Sequence, residues 1–277
     1  MPSSPLRPAR DLPHALTRYD RLAAGIGDRR IAFFLDFDGT LTPIPPRPEL
    51  GRLSESARAV LTRLVRSASV AVVSGRDRAV LERLVAIDGV SYAGSHGFDI
   101  AMPGGCVFNG CGDFLAPLDR LETRLRQGLA AFPESQMERK ACALAVHTRR
   151  VPTEPARAAV RDIVTACLAE EPQMTVTEGK MVYEILPAID WHKGKAITWL
   201  LAAQGQGLEA KSIVPLFFGD DANDEPAFRT IRGHGIGIIV APPDEDRLTT
   251  ADYRVDDPGQ VIELLRRWTL SGWRRSC

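Results

Sequence analysis

The sequence lacks a net charge: 35 basic and 35 acidic side chains among 277 residues cancel to zero. Nucleic-acid-binding surfaces normally leave a basic excess, so no nucleic-acid partner is expected, although a local patch fits within a neutral total. Long apolar runs are missing as well. Near the start the longest is Ile31 to Leu35, far short of the roughly 20 residues a membrane span needs, and no membrane association is expected. The opening MPSSPLRPAR has no apolar stretch behind it, which argues against a secretory signal and makes the cytoplasm the expected location. Cysteine is sparse: Cys106, Cys111, Cys142, Cys167 and Cys277 form no C-x-x-C pair, so unlinked bystander thiols are expected rather than zinc ligands or a disulfide framework. The five histidines show no H-x-x-x-H spacing, which disfavours a zinc hydrolase.

What is present is a repeated grammar in which a short apolar stretch ends abruptly in polar residues. Ile31–Leu35 runs into Asp36-Phe37-Asp38-Gly39-Thr40, Val70–Val73 into Ser74-Gly75-Arg76-Asp77, and Ile213–Phe218 into Gly219-Asp220-Asp221. Helical spacing follows, as in Ala57, Val60, Leu61, Leu64 and Val65. Strands alternating with such helices read as βα units on a parallel sheet, an α/β, Rossmann-like core. Ligands bind beyond the carboxyl ends of such strands, so three parallel neighbours would bring their polar endings into one site.

The middle of the chain reads differently. A helix is expected over Leu118–Phe132, a strand near Lys140–Thr148, a second helix opening at Pro155, and a second strand over Met174–Leu186. This is a smaller inserted α+β unit. The reading divides the chain into an N-terminal helical extension (1–28, with an amphipathic stretch from Leu12 to Ala24), a core (29–112 and 188–277) and the insertion (113–187).

Asp36 and Asp38 stand at the mouth of a buried strand. Two loop carboxylates are the bland alternative, but the glycine and threonine that follow allow backbone amides to cradle an anion. A carboxylate there can attack phosphorus, with its neighbour as acid and base. Ser74 offers a hydroxyl and N–H groups at a βα turn; Arg76 taken alone reads more readily as a surface residue than as a phosphate ligand. Lys193 falls in the first turn of a helix, where a cation opposes the dipole unless a negative group compensates it. Asp220, Asp221, Asp224 and Glu225 pack four carboxylates into six residues. A hard divalent cation resolves their repulsion, and Mg²⁺ suits few carboxylates plus a substrate phosphate. Asp224 and Glu225 also read as a helix cap.

Taken in order, Asp36-Phe37-Asp38-Gly39-Thr40, Val73-Ser74-Gly75-Arg76, Lys193-Gly194 and Gly219-Asp220-Asp221 with Asn223-Asp224 resemble the four motifs of the haloacid dehalogenase (HAD) superfamily. Gly94–Gly97, Glu178–Glu184 and Gly219–Phe228 narrow the resemblance to the trehalose-6-phosphate phosphatases, over about 12–260. The resemblance implies a Mg²⁺-dependent hydrolysis of trehalose 6-phosphate. Asp36 would be nucleophile and metal ligand. Asp38 would be acid and base, giving its backbone carbonyl to the metal. Asp220 would complete the protein ligands, with Asp221, Asn223 and Asp224 around the ion without direct coordination. Thr40, Ser74, Gly75, Arg76 and Lys193 would hold the phosphoryl group, and the insertion would be a cap closing over the sugar. His96, Glu138, Lys140, Lys180 and Glu184 would bind the sugar. Period-two alternation is expected to put 138 with 140, and 178, 180, 182 and 184, on shared strand faces. Asp99, Thr148, Leu186 and Asn223 depart from the family pattern. A phosphatase of another sugar phosphate and a non-catalytic sugar-phosphate sensor are the alternatives, and a monomer is the favoured state.

Overall fold

The computed structural model describes residues 6–45, 50–179 and 181–270, which leaves Lys180 and Cys277 outside the described residues. The chain begins with β1 (Arg7–Pro8), α1 (Tyr19–Ile26), β2 (Arg30–Leu35), α2 (Glu55–Leu64), β3 (Ser69–Val73), α3 (Arg78–Val85), β4 (Val90–Gly94), β5 (Asp99–Ala101) and β6 (Val107–Asn109). Next come α4 (Leu115–Gly128), β7 (Gln136–Arg139), β8 (Leu144–His147), α5 (Glu154–Leu168), β9 (Met174–Gly179) and β10 (Val182–Pro187). The last third holds α6 (Lys193–Ala203), β11 (Ile213–Gly219), α7 (Glu225–Ile231), β12 (Ile236–Val240), β13 (Leu248–Thr249), β14 (Tyr253–Val255) and α8 (Pro258–Leu270). Two compact units result, Met1–Phe108 with Trp191–Cys277, and Asn109–Asp190. Among the described residues no helix is long and apolar enough to cross a membrane.

The first unit is built on an eight-stranded sheet in the order β14-β12-β11-β2-β3-β4-β5-β6. The six strands from β14 to β4 are parallel, and β5 runs antiparallel to β4. This is the expected α/β core with a parallel sheet. Helices cover both faces, so the central strands read as unbroken apolar runs. Along β2, Phe33 and Leu35 enter a cluster with Leu61, Leu264 and Trp268, while Ala32 and Phe34 enter another with Ile197, Leu200 and Phe228. Each fully buried phenylalanine contributes about 1.5–3 kcal/mol. From β2 the chain crosses to β3 on one side and later returns with β11 on the other. The crevice at this switch point lies beyond the carboxyl ends of β2, β3 and β11, the three strands with polar endings.

Helix is expected from Leu12, but α1 starts only at Tyr19. The preceding backbone is engaged with the β14 edge: the Ala15 amide donates to the Arg254 carbonyl at 2.8 Å, and Pro13 accepts from Arg254 at 3.1 Å. Donors spent on that edge are unavailable to a helix.

In the second unit, Leu118, Leu121 and Leu125 of α4 and Val160 and Val164 of α5 pack on Leu144, Val146 and Ile185 of an antiparallel sheet ordered β7-β8-β10-β9. The strand expected near Lys140–Thr148 is β8, paired with an unforeseen β7, whereas the single strand expected over Met174–Leu186 is a hairpin of β9 and β10. Gly179 pairs with Val182, so the chain reverses between them, and Met181 takes φ 65°. The alternation of E-G-K-M continues through that turn and hides it. The turn also changes the faces: Glu178 opposes Tyr183, in a row with the apolar Val176 on the helix side, whereas Glu184 opposes Thr177 on the other side. Residues 178 and 184 therefore do not share a face.

A disulfide joins Cys111 and Cys142, with Cα atoms 5.4 Å apart, contrary to the expectation of unlinked thiols. The gap between β7 and β8 brings Cys142 beside the residues entering α4. A sequence separation of 31 carries no signature of that contact. Cys106 and Cys167 are free.

Candidate active site

Asp36 is the first residue past β2, and its amide donates to the Phe218 carbonyl of β11 at 2.9 Å. That bond fixes the carboxylate at the sheet edge, where it is 6% exposed. Its Oδ1 accepts from Lys193 Nζ at 2.8 Å, and the same ammonium donates to Asp224 Oδ1 at 2.6 Å. Lys193 opens α6, whose cap is His192: Nδ1 accepts from the Gly194 amide at 3.1 Å. A buried cation at the positive end of a helix is thus held by two buried carboxylates, the compensation its position demanded. Close packing of α6 on α7 delivers it there, because a Cβ on Gly194 would lie 2.1 Å from Thr230 Oγ1.

The electrostatics remain unbalanced. Burial lifts Asp36 well above the usual carboxylate range; Lys193 opposes this, and Asp224 and Asp220 add to it. Burial disfavours the charged Lys193, but Asp224 and Asp36 outweigh it and raise the ammonium above its ordinary value. Asp220 follows β11 and accepts from Thr40 Oγ1 at 3.1 Å. Burial, and then Asp224, push its carboxyl up to about 6.

Oxygens of Asp36, Asp220 and Asp224 lie within 4.8 Å of one another. Three carboxylates against one ammonium, all offering hard oxygen donors, are the surroundings that suit a divalent cation. Gly39 permits the approach: it has φ 82°, and a Cβ there would fall 2.1 Å from Asp220 Oδ2. Asp224 is already occupied on both oxygens, since Oδ2 accepts the amides of Asp220 at 2.9 Å and Asp221 at 3.0 Å. It organises the turn. Asp221 caps that turn, accepting from the Ala222 amide at 2.7 Å, and Asn223 is exposed within it.

Asp38 faces a different partner. Arg76 donates to both its oxygens, Nε at 2.5 Å and Nη2 at 2.6 Å, with the guanidinium 5.4 Å over the Phe37 ring. Arg76 therefore meets the acid–base candidate, a partner that its expected phosphate role did not include. Ser74, 2% exposed, stands past β3 and accepts the Arg76 amide on Oγ at 3.2 Å. Beside it Ser95 and His96 take φ 49° and 57°, held by amide bonds to Arg76 O at 2.7 Å and Ser74 O at 2.9 Å. Left-handed backbone at two non-glycine residues costs on the order of 1 kcal/mol each. The strain sets His96 so close to Gly75 that a Cβ there would lie 2.8 Å from His96 Cε1.

Against known proteins, the family profile described as Trehalose-phosphatase matches residues 34–259. The chain belongs to the trehalose-phosphatase family. It is 35% identical over 269 residues to the probable trehalose-phosphate phosphatase 4 of Oryza sativa subsp. japonica, covering 95% of this chain and 72% of that one. The solved C-terminal domain of the Candida albicans trehalose-6-phosphate phosphatase superposes with a TM-score of 0.76 at 24% identity, covering 94% of this chain and 99% of that one. A phosphatase of the HAD superfamily from Bacteroides thetaiotaomicron superposes at 0.59 and 15% identity, covering 89% and 96%. These two likenesses establish the fold.

Within this trehalose-phosphatase family member, the remaining candidates lie in the second unit. Glu138, Ala145 and Glu184 form one row across β7, β8 and β10. Lys140 Nζ donates to Glu184 Oε1 at 2.6 Å, and Glu138 Oε2 lies 3.3 Å from His147 Nε2. The His147 hydrogen bond, and next the Lys140 charge, hold Glu138 below the usual range against its partial burial. Lys180 falls outside the described residues. Sequence reasoning missed His147, which standard alternation along β8 would have placed, and Arg247, whose guanidinium donates to the Asp220 carbonyl. Nothing in the spacing announced Arg247. Asp99, a departure from the family pattern, pairs with Arg78 Nε at 2.8 Å.

Proposed function

We propose that this chain hydrolyses trehalose 6-phosphate to trehalose and phosphate, with Asp36 as nucleophile and Mg²⁺ as its cation. The observation that carries the reading is Lys193 bridging Asp36 and Asp224 beside Asp220. An ammonium has three donors; two serve these carboxylates, which leaves one for a phosphoryl oxygen. Mg²⁺ would be held by the carboxylates of Asp36 and Asp220 and the backbone carbonyl of Asp38. When bound it screens the nucleophile from the phosphate oxygens and polarises the phosphoryl group.

An Asp36 oxygen attacks phosphorus, the bond to the sugar oxygen breaks, and Asp38 gives that oxygen its proton. Asp38 then takes a proton from water, which attacks the aspartyl phosphate, releasing phosphate and restoring Asp36. The two-point contact of Arg76 fits the ionised Asp38, the form that takes the proton from water, and one Asp38 oxygen has to leave Arg76 to hold and deliver the proton to the sugar oxygen. Ser74, Gly75 and Thr40 supply the remaining phosphate contacts. His96, Glu138, Lys140, Lys180 and Glu184 are assigned to the sugar, because charged groups with fixed directions suit a polyol. A cytoplasmic location belongs to the same proposal. The Cys111–Cys142 disulfide stands against that location, since a reducing compartment would open it to two thiols.

Phosphate release from trehalose 6-phosphate, sucrose 6-phosphate, glucosylglycerol phosphate and an aryl phosphate, with Mg²⁺ and with EDTA, tests the reading. Preferred turnover of trehalose 6-phosphate that EDTA abolishes is expected. Binding without release would mark a sensor, and preference for another sugar phosphate would reassign the substrate.

A further inference from the structure

The family motifs account for the carboxylates of the cluster but leave open what holds the backbone carrying Asp220. Its amide is tied to Asp224 Oδ2 at 2.9 Å and its carboxylate to Thr40 at 3.1 Å. Its carbonyl is tied from outside the motifs altogether, by Arg247 Nη2, and Arg247 Nη1 lies 3.5 Å from Asp221 Oδ1. Arg247 belongs to the segment after β12, and the N-terminal strand holds that segment. Arg7 and Pro8 pair with Thr249 and Leu248, Ala9 N donates to the Arg247 carbonyl at 2.9 Å, and Arg10 N donates to the Glu245 carbonyl at 3.0 Å. Arg10 also forms an ion pair with Asp246. Ala9 is buried, and on the far side Glu225 Oε2 accepts from the Thr250 amide at 2.9 Å and hydroxyl at 2.8 Å.

We propose that Arg247, set in place by the N-terminal segment Arg7–Arg10, is a positioning residue that holds the Asp220–Asp221 backbone for cation binding. A charge-assisted bond to a carbonyl is among the stronger hydrogen bonds, and groups that orient a metal ligand typically change affinity ten- to a hundred-fold. Arg247 reaches the carboxylate cluster through the Asp220 carbonyl and the Asp221 carboxylate. Its charge also sits beside an acidic turn, where it lessens repulsion between Asp220, Asp221 and Asp224 before the cation arrives. The N-terminal segment thereby acquires a functional reason for its attachment to the core. The proposal rests on the Mg²⁺ reading above.

Calorimetric titration of MgCl₂ into the full-length, metal-free protein tests it, with thermal denaturation as the folding control. Arg247→Ala is expected to raise the Mg²⁺ dissociation constant about ten-fold or more. Arg247→Lys recovers part of the loss, and KM for trehalose 6-phosphate at saturating Mg²⁺ stays unchanged. Ala9→Pro deletes the amide donor at the first position of a helical turn, where the proline backbone is tolerated, while adding two ring carbons at a buried site. It should shift the constant in the same direction by a few-fold. If that variant does not fold, Arg10→Ala, which breaks the ion pair with Asp246, carries the same expectation. An unchanged or smaller constant in folded Arg247→Ala overturns the positioning role. Failure of the wild type to bind Mg²⁺ overturns the metal reading instead.

Discussion

Lys193 and Lys140 make ion pairs of the same length in the two units and teach opposite lessons. Lys193 lies 2.6 Å from Asp224 with side chains 2% and 0% exposed, whereas Lys140 lies 2.6 Å from Glu184 with both near one fifth exposed. Burial, not distance, decides what such a pair does. In the core, removing one partner strands a charge away from water, so the pair is structural and electrostatic at once. On the sheet of the inserted unit water screens the partners. That pair is worth at most about 1 kcal/mol and can be reorganised by a polar ligand.

The largest effect that would sharpen this contrast is Asp36→Asn. Phosphate release should fall by about 10⁴-fold or more, as expected for loss of a nucleophile, with far-UV circular dichroism unchanged. Near-normal turnover would break the mechanism. Next comes Lys193→Met. It leaves Asp36 and Asp224 uncompensated and should lower unfolding free energy by about 3–5 kcal/mol in urea denaturation. Lys140→Met should change it by less than about 1 kcal/mol. Equal effects at the two lysines would erase the comparison.

The smallest effect concerns pH. Burial, and then Asp224, push the Asp220 carboxyl from an ordinary 3.8 up to about 6 in the folded chain. The stability that its protonated form contributes is fully present below about 3.8 and lost as pH rises through about 6. Metal-free protein should therefore gain stability between pH 7.5 and pH 5. Asp220→Asn should reduce that gain, to which the raised Asp36 also contributes, and stabilise the metal-free protein at neutral pH by about 1–2 kcal/mol, while abolishing turnover. A thermal shift series at the two pH values checks it.

The core site was legible because physical conflict leaves marks in a sequence. An apolar strand that ends in Asp36 and Asp38, and a helix that opens on Lys193, each demand a partner, and the parallel order β11-β2-β3 supplied it. What stayed hidden depends on pairing between distant segments. Cys111 meets Cys142 through a hairpin turn, and the Gly179–Val182 turn preserves the alternation it interrupts. Arg247 acts on a carbonyl, an atom every residue owns, so no side-chain pattern marks its target. The two-point contact of Arg76 with Asp38 was likewise unreadable, because an arginine after Ser74-Gly75 fits a phosphate equally well.

The division of labour between the units is tested most directly by the ratio of kcat/KM for trehalose 6-phosphate to that for an aryl phosphate. It should be measured in the wild type and in a Lys140→Ala, Glu184→Gln double variant. The ratio should fall by about ten-fold or more while the aryl phosphate rate holds steady, since on the proposed assignment only sugar contacts are lost. An unchanged ratio, or two rates that fall together, would contradict the assignment of chemistry to the core and selection to the inserted unit.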